Sequence, residues 1–112
     1  MYRIVVQDHW WRLIGYGYKT VEARLNRGLH SDVEIGDRFQ IINGTSGEIL
    51  TGEIHDVLLY PTFRDMLENE GIDNVTPGIN TVEEAVNIYL SIPGYRDEER
   101  LGVIAIRLLT DD

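Results

Sequence analysis

The sequence predicts an α+β domain in which a small barrel-like sheet carries helices at its ends. Three observations predict it. Five short runs rich in β-branched and aromatic residues recur along the chain, at residues 2–6, 19–25, 38–42, 48–60 and 102–109. Helix starts interrupt that series once after the first run and twice before the last. The chain has 112 residues, enough for one hydrophobic core, and residues 1–112 read as a single domain.

Residues 2–6 are β-type throughout. Asp8 can cap a following helix in which Trp10, Leu13 and Ile14 recur at helical spacing, and Gly15, Tyr16 and Gly17 turn the chain out of it. Residues 19–25 alternate as a strand. The polar, glycine-containing stretch 26–37 is expected as a long loop, followed by a strand at 38–42 and a turn at Asn43 and Gly44 or at Thr45, Ser46 and Gly47. The run 48–60 is long enough that a bend near Gly52 is expected. Thr62 with Asp65 approximates a capping box, Phe63, Met66 and Leu67 make the buried stripe behind it, and Gly71 ends that helix. Thr81 with Glu84 repeats the signal, with Val82, Ala85, Val86 and Tyr89 as the apolar face and Pro93 and Gly94 as the stop. Helices are therefore expected over 63–70 and 82–90, with an apolar closing strand over 102–109.

Composition excludes several function classes. Hydrophobic residues are 43% and charged residues 26%, which fits neither a disordered chain nor a membrane span, and no secretory leader is visible at the start. A soluble cytoplasmic domain is expected. With no cysteine there is no disulfide scaffold, thiolate zinc site or cysteine nucleophile, and His9, His30 and His55 lack helical ligand spacing, so neither a structural metal nor a cofactor is expected. The net charge of −9 opposes a broad phosphate-binding surface. It is unevenly spread: residues 1–47 hold six basic and five acidic side chains, residues 48–112 four basic and fourteen acidic ones. A nucleic acid or nucleotide would meet the first half, and the acidic half reads as a solvated surface.

The segment from Lys19 to Leu25 carries the most chemistry. Strand alternation places Thr20, Glu22 and Arg24 on one face and Val21, Ala23 and Leu25 on the other. A carboxylate and a guanidinium two residues apart can pair, leaving the arginine fork and the threonine hydroxyl to orient a planar polar ligand. The plainer reading is a solvent-facing ion pair of about 0–1 kcal/mol. Lys19 begins this strand and is the only lysine beside nine arginines. Lysine offers a compact ammonium whose pKa falls on burial, suited to a general base or a point-charge anchor; a preference for arginine across the whole sequence explains its rarity equally well. Trp10, Trp11, Tyr16 and Tyr18 cluster beside the strand, where some can stack on a base and at least one Trp belongs to the core. Gly15, Tyr16 and Gly17 lack the later glycine of a dinucleotide fingerprint.

In order along nearly the whole chain, these residues resemble the ASCH domain, a branch of the PUA-like superfamily. The likeness is carried by Gly17 with Lys19, Thr20, Glu22, Arg24 and Leu25; by Gly36 and Asp37; by Tyr60, Phe63, Met66, Leu67, Glu70 and Gly71; and by Pro77, Gly78, Ile88 and Tyr89. It continues through Glu98 and Glu99 to Gly102, Val103, Ala105 and Ile106. The resemblance implies a small PUA-like β-barrel with about three flanking helices and a cleft beside the lysine-bearing strand. It also implies a ligand that is RNA or a modified nucleotide or nucleoside. Some small members hydrolyse N4-acetylcytidine through a Lys, a Thr nucleophile and a later Glu, and one branch cleaves RNA. Lys19 matches that lysine, Glu22 stands where the nucleophilic Thr would be, and Glu70 corresponds to the later Glu. Fold alone does not choose among these activities. The expectation is a binding module with Lys19, Thr20, Glu22 and Arg24 around its ligand. The alternative is a small hydrolase or ribonuclease using Lys19, Glu22 and Glu70, and the third reading is a domain that binds a protein partner through its acidic half.

Overall fold

Alternation of buried and exposed residues starts at once: Tyr2, Ile4 and Val6 point inward from β1 (Tyr2–Val6) while Arg3 and Val5 point out. The computed structural model describes residues 1–111. Helix α1 (Asp8–Gly15) follows directly. Its cap position is Gln7 rather than Asp8, whose carboxylate instead accepts from Arg12 one turn on and from the Asn43 amide. Strand β2 is Val21–Leu25; Lys19 and Thr20 precede it. The loop after it contains a single 3-10 turn at Gly28–Asp32.

Strands β3 (Arg38–Asn43), β4 (Ile49–Tyr60) and β5 (Val103–Thr110) complete a five-stranded sheet in the order β1-β3-β4-β5-β2. Among the described residues only β1 and β3 run parallel. Asn43 builds the turn between β3 and β4: its side-chain oxygen accepts from the Thr45 and Ser46 amides. The twelve-residue β4 curves at a bulge between Ile54 and Asp56, not at Gly52. Gly52 has a different cause. A Cβ there would overlap the Leu109 carbonyl oxygen and the Phe39 ring, so the residue is small because two neighbours approach its backbone.

The capping signals are realised as read. The Asp65 amide donates to Thr62 Oγ1 at 3.1 Å at the head of α2 (Phe63–Glu70), and the Glu84 amide to Thr81 Oγ1 at 3.1 Å at the head of α4 (Val82–Leu90). Two four-residue helices that the sequence reading did not contain, α3 (Ile72–Val75) and α5 (Tyr95–Glu98), fill the connections. One turn has no periodicity to read.

The curved sheet has a core on each face. Tyr2, Ile4, Phe39, Ile41, Ile54, Ile104 and Ile106 fill the concave side, and Val21, Ala23, Leu25, Val103 and Ala105 pack against α2, α3 and α4. Strand β5 is buried from Val103 to Ile106 because both faces are covered. This is the small PUA-like half-barrel with flanking helices that the sequence led us to expect, with α1, α2 and α4 as its three longer helices. No helix among the described residues is long and apolar enough to cross a membrane.

Candidate functional site

The strand order leaves β1 and β2 as the two edges of the sheet, so the barrel has an unclosed seam between them. Chain polarity settles which groups face that seam. The Asn26 amide donates to the Gly102 carbonyl and the Leu108 amide to the Thr20 carbonyl, which makes the even-numbered residues of β2 the hydrogen-bonded partners of β5. The backbone groups of Val21 and Ala23 therefore point away from β5, into the seam.

Side chains satisfy them there. Lys19 Nζ donates to the Val21 carbonyl at 2.8 Å and to the Val75 carbonyl at 2.5 Å, and it faces the Trp10 ring at 5.5 Å from the centroid. The Ala23 amide donates to Glu22 Oε1 at 2.9 Å. Arg24 Nε stands 3.7 Å from the same carboxylate oxygen, and its Nη2 reaches across the seam to the Val5 carbonyl of β1 at 3.4 Å, a weak contact. Lys19 is 3% and Glu22 5% exposed.

Around these groups lies a cavity of about 510 Å³. Val5, Val6 and Gln7 form one lip, Trp10 of α1 a wall, and Ile88, Tyr89, Ile92, Pro93 and Tyr95 the opposite side. The Tyr89 and Tyr95 rings are fixed by stacking on Phe63, with centroids 4.6 and 5.7 Å away. Burial pushes the Lys19 pKa down; Glu22 opposes that shift and Arg24 adds to it. Burial likewise pushes the Tyr89 hydroxyl well up, so it stays protonated. The result is a mostly apolar slot with two cations and one carboxylate at its polar end. Such a site can hold a planar ligand by its faces and read its polar edge.

The structure brings Lys19, Glu22 and Arg24 together, and it separates two other predicted residues from them. Thr20 is exposed and lines a second depression of about 230 Å³, together with His55, Glu70, Asn74 and Arg107. Thr20 lies just before β2: its carbonyl still accepts from the Leu108 amide of β5, but its own amide donates to the Asn74 carbonyl outside the sheet. Glu70 is buried in that second depression. It accepts from Tyr60 at 2.5 Å and from Arg107 Nε and Nη2 at 2.9 and 3.1 Å. The polar face of β2 is also not solvent-facing, as the plainer reading had it: Glu22 and Arg24 pair across the sheet with Ile106 and Ile104 and share their concave face.

Of the four clustered aromatics only Trp10 lines the cavity. Trp11 donates its indole N–H to the Ile41 carbonyl at 2.9 Å, and Tyr16 and Tyr18 are exposed. His30 lies outside the cavity, 2.7 Å from the Tyr2 hydroxyl. Tyr89 belongs to the core, as its helical spacing indicates, and lines the cavity as well; Tyr95, which the sequence does not single out, does both too. The available signal was that two tyrosines, each with a polar end, flank the Pro93 and Gly94 stop. Among the described residues no group of three or more His, Asp or Glu side chains converges as metal ligands.

No protein-family model matches the sequence, and no curated protein does. Solved structures do. The hypothetical protein PH0355 is similar at 30% identity over 98% of each chain, with a TM-score of 0.87. PF0455 from Pyrococcus furiosus is similar at 28% identity over 97% of this chain and 96% of its own, with a TM-score of 0.77. The ASCH protein of Zymomonas mobilis has the same fold at 15% identity, with a TM-score of 0.65; the match covers 96% of this chain and 65% of that one.

Proposed function

Since the chain belongs to one family with the hypothetical protein PH0355 and carries the ASCH fold, we propose that it is a binding module for a single nucleobase, presented by a free nucleoside or nucleotide or by one residue of an RNA. The seam cavity carries this reading. Its volume falls in the range of roughly 300–1,000 Å³ typical of small-molecule sites. Trp10, Tyr89 and Tyr95 give the lining aromatic side chains, and Lys19, Glu22 and Arg24 offer polar groups to a base edge. The cavity opens between two strand edges, so a ribose and phosphate can remain outside. With a net charge of −9, the chain has little to give a long phosphate backbone, which favours one base over a tract.

The test is a fluorescence titration with Trp11→Phe, which leaves Trp10 as the sole indole, against nucleosides, nucleotides and short RNAs. Saturable quenching that weakens at least tenfold in the additional Lys19→Ala variant supports the reading. No saturable change with any of them at millimolar concentration overturns it.

A second reading, hydrolysis in the same cavity, draws on one observation. Burial lowers the Lys19 pKa towards the range in which an amine serves as general base.

A further inference from the structure

The polar end of the cavity has three hydrogen-bonding positions still open. Two of the Lys19 ammonium's three N–H groups are taken by the Val21 and Val75 carbonyls, which leaves one. Glu22 engages the Ala23 amide and Arg24 through Oε1, so Oε2 has no protein partner among the described residues. Among the described residues every side-chain polar atom fully shut off from solvent has a partner, so Oε2 keeps some exposure although Glu22 is 95% buried, and Glu22 lines the cavity. Among the described residues Arg24 hydrogen-bonds only the Val5 carbonyl, weakly, and pairs with Glu22 through Nε alone, so most of its N–H groups are free.

Taken in the order of their anchors, the Val21 carbonyl and the Ala23 amide along the β2 edge and then the Val5 carbonyl across the seam, these positions run donor, acceptor, donor, from Lys19 through Glu22 to Arg24. The complement is a planar edge that runs acceptor, donor, acceptor. We propose that the cavity selects a cyclic imide, the uracil-type base, whose ring N–H lies between two carbonyls. The N–H donates to Glu22 Oε2 and the carbonyl oxygens accept from Lys19 and Arg24. A cytosine edge presents an amino group, then two acceptors. It can satisfy Glu22 and Arg24, but it leaves the Lys19 N–H unpaired in a buried site, which is costly. The proposal rests on the nucleobase reading above and adds to it which base is taken.

The experiment compares uridine, cytidine and N3-methyluridine by titration calorimetry on the intact chain. The methyl group removes the one imide donor and leaves both carbonyls, so this comparison needs no variant that might fail to fold. Uridine is expected to bind at least tenfold more tightly than either competitor. Glu22→Gln, checked for an unchanged melting temperature, is expected to weaken uridine at least tenfold. N3-methyluridine binding as well as uridine, or cytidine binding as well or better, overturns the imide assignment while leaving the nucleobase reading in place. No binding by any of the three, together with no response in the indole titration, overturns both.

Discussion

Lys19 and Glu22 close the same strand edge with opposite charges: the ammonium caps the Val21 carbonyl and the carboxylate caps the Ala23 amide. An exposed edge with free backbone groups invites pairing with another chain. Here the two side chains block that pairing and, with their remaining valences, face the cavity. One short segment thus protects the open seam of the barrel and supplies its polar contacts.

The lysine's share of this is measurable as stability. Lys19→Met leaves the Val21 and Val75 carbonyls without their donor, and orphaned buried acceptors cost about 1–3 kcal/mol. Because the folded-state pKa of Lys19 lies below its ordinary 10.5, the unfolded chain holds more protons between those two values. Stability of the unmodified protein therefore rises with pH through that window as the cost of burying the charge is relieved. Urea unfolding near neutrality and again towards pH 10 is expected to show Lys19→Met less stable at both, with the gap wider at the higher pH.

Tyr60, Glu70 and Arg107 make a second, independent prediction. Burial, then the hydrogen bond and charge of Glu70, raise the Tyr60 pKa from 10.0 to about 12. A raised folded-state pKa gives stability that is complete below pH 10 and is lost as pH climbs from 10 towards 12. For Glu70, burial pushes upward but the hydrogen bonds from Arg107 and Tyr60 together outweigh it, so its pKa is lowered. Its contribution is present above the ordinary carboxylate pKa of 4.5 and is lost as pH falls through the lowered value. Tyr60→Phe is expected to cost about 1 kcal/mol near neutrality and to flatten the alkaline limb of a melting-temperature profile. An alkaline limb unchanged in that variant would refute the pairing.

What the sequence shows of this molecule follows the reach of its local signals. Thr62 and Thr81 announce α2 and α4 because a cap bonds an amide three residues on. The alternation of 21–25 announces β2 because its period is two. The seam is a different matter. Nothing near Glu22 says that β1 and β2 are left unpaired, since that follows from β3, β4 and β5 taking the places between them. Hence the apparent polar face of β2 turned out to be buried, and Tyr89, at a core spacing on α4, turned out to line the cavity. Thr20 failed for a nearer reason: Asn74 takes its amide, and the strand expected from Lys19 begins two residues later, at Val21.

Gly52 tests the packing of the curved sheet. Alanine in its place puts a methyl group against the Leu109 carbonyl and the Phe39 ring, and Phe39 is fully buried in the concave core. Neither neighbour can retreat without breaking the β4 and β5 pairing or the core. Gly52→Ala is expected to lower stability by about 1–3 kcal/mol, the usual cost of overpacking, and Phe39→Leu in the same chain to recover part of it. Chemical denaturation of the two variants checks both statements.

The last prediction concerns hydrolysis of N4-acetylcytidine, the activity that the resemblance to small ASCH hydrolases raises. Such a mechanism needs a hydroxyl nucleophile, a lysine free to take its proton and a carboxylate nearby. Glu22 stands at the nucleophile's position, and one of its oxygens is committed to the Ala23 amide. Lys19 has two N–H groups held by carbonyls. Glu70, the later carboxylate, lies in the other depression and is occupied by Tyr60 and Arg107. Burial lowers the Lys19 pKa, but Glu22 limits that fall. The hydroxyl of Thr20, the nearest candidate in sequence, opens on the second depression rather than on the Lys19 cavity. Purified protein is therefore expected to release cytidine from N4-acetylcytidine weakly or not at all, with Lys19→Ala indistinguishable from the unmodified chain. Robust release that vanishes in Lys19→Ala would reverse the order of the two functional readings and make Lys19 a catalytic residue.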